Sequence, residues 1–310
     1  VPVVDRAARS CSLWSDLRLV GALRSRPPGV LIGTRSGLNM VVAEVAPPGF
    51  VKVGQEHLNF EVKSAELKHA IRRRFRGLDL LLVLTQTDLA RYARALGDSV
   101  SVERMPNAVP RGGPPKTTRK GTTILAAGRL TRQKGFDRLV PAFGRVVERH
   151  PDWKLRLCGA GAERERLEQM VADHGLSEHV SLPGAVPLEG EMAAASMFVL
   201  SSRFEGFPMV LLEAMGHGLP VVSFDCPTGP REVIEPRVNG LLAPPDSVQA
   251  LATAMLEMIE DEPLRRRCAE GALETARDYS LDAIGPRWDA LIARLTRESG
   301  TVGSPPCSPR

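Results

Sequence analysis

The chain has 310 residues, 43% of them hydrophobic and 25% charged, with a formal net charge of +5. That is length enough for about two domains with real cores, and the mild positive balance gives only a slight bias towards acidic partners. No apolar run is long enough to span a bilayer and no signal-peptide pattern opens the chain. The scattered cysteines (Cys11, Cys158, Cys226, Cys268, Cys307) lack metal-ligand spacing and read as reduced thiols of a cytoplasmic protein.

In chain order, GVLIGT, FVKVGQ and LLLVLT read as three short strands with helical segments around them. They predict part of an α/β domain, and three strands are few for a doubly wound unit. The second strand runs into Glu56 and His57. Residues 61–77, EVKSAELKHAIRRRFRG, hold Lys63, Lys68, Arg72, Arg73, Arg74 and Arg76 against Glu61 and Glu66, a balance of +4. Leu67, Ala70, Ile71 and Phe75 recur at helical spacing. The segment is either a solvated amphipathic helix or a surface that meets anionic lipid or a polyanionic acceptor. Nucleic acid is disfavoured, because no aromatics interleave and no binding motif occurs.

The stretch PNAVPRGGPPKTTRKG breaks both patterns and places a linker at 113–121, after a first domain of residues 1–112. Beyond it, strand and helix alternate. ILAAG, KLRLC, VSLPG, MFVLSS and LPVVSF read as strands. FDRLVPAFGRVVERH reads as a helix that Pro141 enters early or kinks, and ERERLEQMVADHG as one ending at Gly175. Asp246 is placed to cap a helix from SVQALATAMLEMI. Continuous apolar strands between helices predict a parallel sheet covered on both faces, over 122–298. Residues 299–310 are low in complexity and read as a disordered tail.

SRFEGFPMVLLEAMGHGLPVV (202–222) follows a buried strand yet carries Glu205 and Glu213. Pro208 suits the first position of a helix. Glu205 then lies in the strand-to-helix loop, and Glu213 about five residues into the helix, roughly 7–8 Å along its axis. Ligands of open parallel sheets bind beyond the strands' carboxyl ends, where helix N–H groups attract phosphate. A nucleotide sugar has hydroxyls at both ends of a diphosphate, and a carboxylate accepts from vicinal hydroxyls. The plainer alternative makes both glutamates exposed or ion-paired. In GRLTRQKGFDRLV, Arg129 and Lys134 stand at another strand end, where two cations can neutralise a diphosphate. Alone, such a basic loop is usually just solvated.

Taken in order, GRLTRQKG, LCGAGAERERL, VSLPGAVP, SSRFEGFPMVLLEAMGHGLPVV and FDCPTGPREVI resemble the family 4 glycosyltransferases, with PNAVP and TQTDLARYA before them. The resemblance covers about residues 121–295. It implies a retaining enzyme of the GT-B fold, two Rossmann-like parallel-sheet domains facing a cleft. By resemblance, the carboxyl-terminal domain binds the donor. Arg129 and Lys134 would hold its diphosphate, beside Gly128. Glu205 would contact the transferred sugar, Gly206, Phe207, Pro208, Met209 and Val210 would lie near sugar and phosphate, and Glu213 would hold the ribose. Val186 would lie near the base, with CGAGAE as a Gly turn close by. GPRE would line the cleft, or be an ordinary turn before a helix. The amino-terminal domain would take the acceptor, and His57 would hydrogen-bond the sugar, unless it is structural. The family's first strand and Gly-rich loop have no counterpart here, since the SGL of TRSGLNM comes too late. The reading therefore expects residues 1–112 to be the second half of that domain, and leaves the activity of the chain as it stands open.

The implied reaction moves a hexose or N-acetylhexosamine from a UDP- or GDP-linked donor to a glycan, lipid-linked or polymer acceptor, with no metal or other cofactor. PTGPREV is similar to members that build teichoic acids or exopolysaccharides. The rivals are a nucleotide-sugar 2-epimerase of similar fold and a non-catalytic nucleotide-sugar-binding module. Localisation is expected to be cytoplasmic, with peripheral contact at the membrane's inner face.

Overall fold

The computed structural model describes residues 13–109 and 121–298. Most of the expected linker and the whole expected tail, with Cys11 and Cys307, lie outside the described residues. The chain divides into two compact units, Val1–Pro106 with Gly285–Arg310, and Asn107–Ile284. The residues from Gly285 onward therefore group with the first unit, whereas the sequence reading kept 122–298 together.

The first unit contains α1 (Leu13–Arg24), β1 (Val30–Gly33), α2 (Ser36–Val45), β2 (Val51–Glu56), α3 (Ala65–Arg74), β3 (Leu80–Val83), α4 (Gln86–Leu96) and β4 (Ser101–Arg104). Its four strands pair in parallel in the order β1-β2-β3-β4. Three were expected; β4, SVER, is polar and has no buried residue, so it carries no apolar signal. Ser64 caps α3 by accepting from the Leu67 amide, and Thr85 caps α4 by accepting from the Asp88 amide. Met40, Ile71, Phe75, Leu81, Val83 and Tyr92 form the core of this unit. Ile71 and Phe75 are two of the apolar positions that periodicity marked in the basic segment.

The second unit begins with β5 (Thr123–Ala127), α5 (Phe136–Val147), β6 (Lys154–Cys158), α6 (Arg164–Asp173) and β7 (Val180–Gly184). It continues through α7 (Leu188–Ala194), β8 (Met197–Leu200), α8 (Met209–Gly216), β9 (Val221–Phe224), α9 (Pro230–Val233) and β10 (Gly240–Ala243). Then come α10 (Val248–Glu260), α11 (Glu262–Asp278) and α12 (Leu281–Glu298), the last passing into the first unit at Gly285. The six strands are parallel, in the order β10-β9-β8-β5-β6-β7. Strand order reverses between β5 and β8, which opens a crevice beyond their carboxyl ends. The first sheet has no such reversal among the described residues.

Two local expectations change. Ser247, not Asp246, caps α10, its hydroxyl accepting from the Ala250 amide. Asp246 instead adopts a left-handed turn at φ 65° and pairs with Arg138. Pro208 is the residue before α8 rather than its first, because its carbonyl already accepts from Leu211 and Leu212 at 3.0 and 3.2 Å. Pro141 lies inside α5, which continues to Val147.

Candidate functional site

Three glycine turns are stacked at the crevice. The Gly128 amide donates to the Cys158 carbonyl at 2.9 Å, and the Gly159 amide to the Gly184 carbonyl at 2.8 Å. A Cβ on Gly159 would fall 1.8 Å from the Gly128 oxygen, so no side chain fits there. Beside these turns lies a cavity of about 320 Å³ lined by Gly128, Arg129, Cys158, Gly159, Ala160, Ala185, Val186 and Leu188. The structure thus gathers Gly128, Arg129 and Val186, three of the expected donor residues, around one cavity. Arg129 is exposed and makes no side-chain bond to another described residue.

Lys134 and Glu205 come from the two loops that flank the switch point, after β5 and after β8. The Nζ of Lys134 donates to Oε1 of Glu205 at 2.7 Å. The side chains are 15% and 7% exposed, so the carboxylate is a buried, paired anion rather than an ionised group stranded in a core. Ser202 Oγ also donates to Oε1, at 2.5 Å. Lys134 has three N–H donors and spends one on Glu205, which leaves two for an anion.

The backbone of Glu205 is tied to the turn after β9. Thr228 Oγ1 donates to the Glu205 carbonyl at 2.5 Å, and the Glu205 amide donates to the Pro227 carbonyl at 3.4 Å. Thr228 is buried at φ 54°, a region that a β-branched residue seldom occupies. Gly229 follows at φ 103°, and a Cβ there would lie 3.0 Å from Pro208 Cδ and 3.2 Å from Glu205 Cβ. The sequence reading missed Ser202 and Thr228. A serine that ends a buried strand was a usable signal for the first; nothing in PTGP marks the second.

Beyond Glu205 the chain enters α8. Among the described residues, the backbone N–H groups of Gly206, Phe207 and Val210 have no protein acceptor. They stand at the positive end of α8, where an anion is favoured. Phe207 is buried and packs at 5.6 Å, centroid to centroid, on Tyr279. Met209 and Val210 are half-buried at the start of the helix. Glu213, the fifth residue of α8, is half-buried, and its carboxylate has no partner among the described residues. His217 closes α8 as its C-terminal cap.

In the first unit, His57 follows β2 and is half-buried. Burial lowers its pKa, and the neighbouring Glu56 opposes this in part. Glu56 itself lies inside. Its carboxylate accepts from Lys63 Nζ at 2.7 Å, Ser36 Oγ at 3.0 Å and Asn39 Nδ2 at 2.9 Å. Lys63 therefore does not belong to the basic surface where charge counting had put it. Lys68 pairs with Glu61 and Arg74 with Glu44, so Arg72, Arg73 and Arg76 are the exposed cations of that segment.

Cys158, Cys226 and Cys268 are buried free thiols. Among the described residues, no group of three or more His, Cys, Asp or Glu is placed to hold a metal, and no helix is long and apolar enough to cross a membrane.

The family model for glycosyl transferases group 1 matches residues 114–275. The chain is 34% identical over 284 residues to an exopolysaccharide phosphotransferase of Streptomyces coelicolor, a match covering 91% of this chain and 30% of that protein. It is 33% identical over 175 residues to the amylovoran biosynthesis glycosyltransferase AmsD of Erwinia amylovora, covering 56% of this chain and 49% of that one. The chain thus spans half or less of these relatives. The crystal structure of the pneumococcal O-GlcNAc transferase GtfA in complex with UDP and GlcNAc matches with a TM-score of 0.78 at 20% identity, over 89% of this chain and 59% of that one. That likeness establishes the GT-B fold, two Rossmann-like α/β units. With more than half of its length inside the family model, the chain belongs to the glycosyl transferases group 1 family.

Proposed function

We propose that this chain carries the donor site of a retaining glycosyltransferase that moves a hexose or N-acetylhexosamine from a nucleotide sugar to an acceptor hydroxyl. The observation that carries the reading is the Lys134–Glu205 pair at the strand-order reversal, beside the amides of Gly206, Phe207 and Val210, which have no acceptor among the described residues. Arg129, the two spare donors of Lys134 and those amides supply positive potential for a leaving diphosphate. Glu205, held by Lys134 and Ser202, accepts from a sugar hydroxyl. Glu213 accepts from the ribose diol, and the cavity beside Val186 takes the base. His57 is the first unit's candidate for a hydrogen bond to the transferred sugar. Retention follows the family resemblance. A UDP donor is supported by the UDP in the GtfA complex, and a surface-polysaccharide acceptor by the names of both relatives.

The test is a panel of UDP- and GDP-sugars, with binding followed by calorimetry and turnover by product release. Glu213→Ala should weaken nucleotide binding about tenfold or more, the loss of a charged hydrogen bond, and Lys134→Ala should remove nearly all turnover. Full activity in both variants sinks the reading. The name of the Streptomyces relative favours a second one, phosphoryl transfer. Breaking the C–O bond of a sugar nucleotide releases a nucleoside diphosphate. Breaking its P–O–P link releases a monophosphate. Identifying the released nucleotide decides between them.

A further inference from the structure

Lys134 and Glu205 meet across 71 residues of sequence, in loops that leave different strands. A second pair beside them ties those loops together. Arg203 lies two residues before Glu205, and Asp137 three after Lys134. Arg203 Nη1 donates to Oδ1 of Asp137 at 2.8 Å and Nη2 to Oδ2 at 2.7 Å, fork against fork. The same Nη1 donates to the Arg132 carbonyl at 2.6 Å. The Arg203 amide donates to the Gln133 carbonyl at 2.8 Å, Gln133 Nε2 to the Phe204 carbonyl at 3.1 Å, and Ser201 Oγ to the Lys134 carbonyl at 2.9 Å. Gly135 adopts φ 66°, and a Cβ there would sit 2.0 Å from the Ser201 oxygen. The two loops are in contact along their length, and the arginine fork is their charged fastening.

A plain role exists for one partner. Asp137 is the second residue of α5, where a carboxylate suits the helix dipole. That explains an acid at 137. It does not explain an arginine that reaches from another loop and spends a further donor on the Arg132 carbonyl. The side chains are 19% and 15% exposed, so this is no solvated surface pair of small value.

We infer that Arg203 and Asp137 are positioning residues of the proposed transfer site, clamping the loop after β5 to the loop after β8 and so fixing Lys134 against Glu205. The inference rests on the transferase reading. A displacement of about 1 Å in such a site costs up to about 100-fold in rate. Arg203→Ala in the full chain should therefore lower kcat about 30-fold or more, with donor KM within about threefold. Guanidinium chloride at non-denaturing concentration should restore part of that kcat, and Arg203→Lys, which lacks the fork, should stay low. Asp137→Asn, which keeps the shape, should fall less, and it serves if Arg203→Ala does not fold. A merely structural pair would lower the melting temperature while kcat per folded molecule stayed at the wild-type value with no guanidinium rescue, and that result overturns the inference. A second readout does not need turnover: acetylation of Lys134, followed by mass spectrometry, should speed up in Arg203→Ala relative to other lysines. An unchanged rate overturns the clamp. Absence of sugar transfer in the wild type, by contrast, counts against the transferase reading alone.

Discussion

Thr228 donates its hydroxyl to the main-chain carbonyl of Glu205, 23 residues away, from a left-handed backbone conformation. A threonine is held there against its own preference. Thr228→Val keeps the shape and removes the donor, so the hydrogen bond to the Glu205 carbonyl is lost. It should cost about 1–3 kcal/mol in urea unfolding, whereas Thr228→Ser should cost much less. Equal stability of the valine variant and the wild type would show that the bond does not form in solution.

The Lys63–Glu56 pair is buried on both sides, with side chains 3% and 2% exposed. Removing one partner strands the other. Lys63→Met should destabilise the first unit by about 3–5 kcal/mol, and adding Glu56→Gln, which removes the charge but keeps an acceptor for Ser36 and Asn39, should recover part of that loss. Calorimetric unfolding of the single and double variants measures the coupling; simple additivity would refute it.

The Asp137 carboxyl is held below the usual aspartate range, first by its hydrogen bond to Arg203 and then, against the opposing effect of burial, by that cation's charge. A depressed folded-state pKa means that stability is present above the unfolded aspartate pKa and lost as pH falls through the folded one. The stability difference between the wild type and Arg203→Met should therefore be full near neutrality and close in the acid range below the ordinary aspartate pKa. Denaturant melts across that range check it, and a difference independent of pH would exclude the linkage.

Burial pushes the thiols of Cys158 and Cys268 up to about 11, and that of Cys226 to about 12, where Glu205 adds to the effect. Thiolate is the reactive form. At pH 8 iodoacetamide should leave all three unlabelled in the native protein and label them once it is unfolded. Site-resolved mass spectrometry reads the result; rapid native labelling of Cys226 would contradict its burial.

The second sheet was legible in the sequence because its strands are short, apolar and regularly punctuated: MFVL and VVSF are buried at every position. β4 was not legible, because an edge strand written SVER carries no apolar alternation. Lys134 and Glu205 could be picked out from their loops, but contact across 71 residues is a product of strand order, which local pattern does not encode. Lys63 was misplaced for a related reason. In a basic run a lysine counts as surface, and only the fold turns this one inward to Glu56. Asp246 and Ser247 are both capable caps, and the choice between them came from the turn that gives Asp246 to Arg138.

The first unit is finished by a piece of chain that follows the whole second unit in sequence. Arg294 donates to Glu103 at 2.6 Å and Arg287 to the Arg104 carbonyl at 3.2 Å, both from α12. Arg294 and Leu295 also line a cavity with Val51, Leu80 and Ser101, the opening residues of β2, β3 and β4. On the ribosome, everything between Pro106 and Gly285 must be translated before that wall exists, which takes on the order of ten to forty seconds at about 5–20 residues per second. For that interval the nascent first unit waits with the amino ends of its strands uncovered. Its maturation thereby waits on synthesis of the second unit, so that a chain cut before Gly285 would lack part of the first.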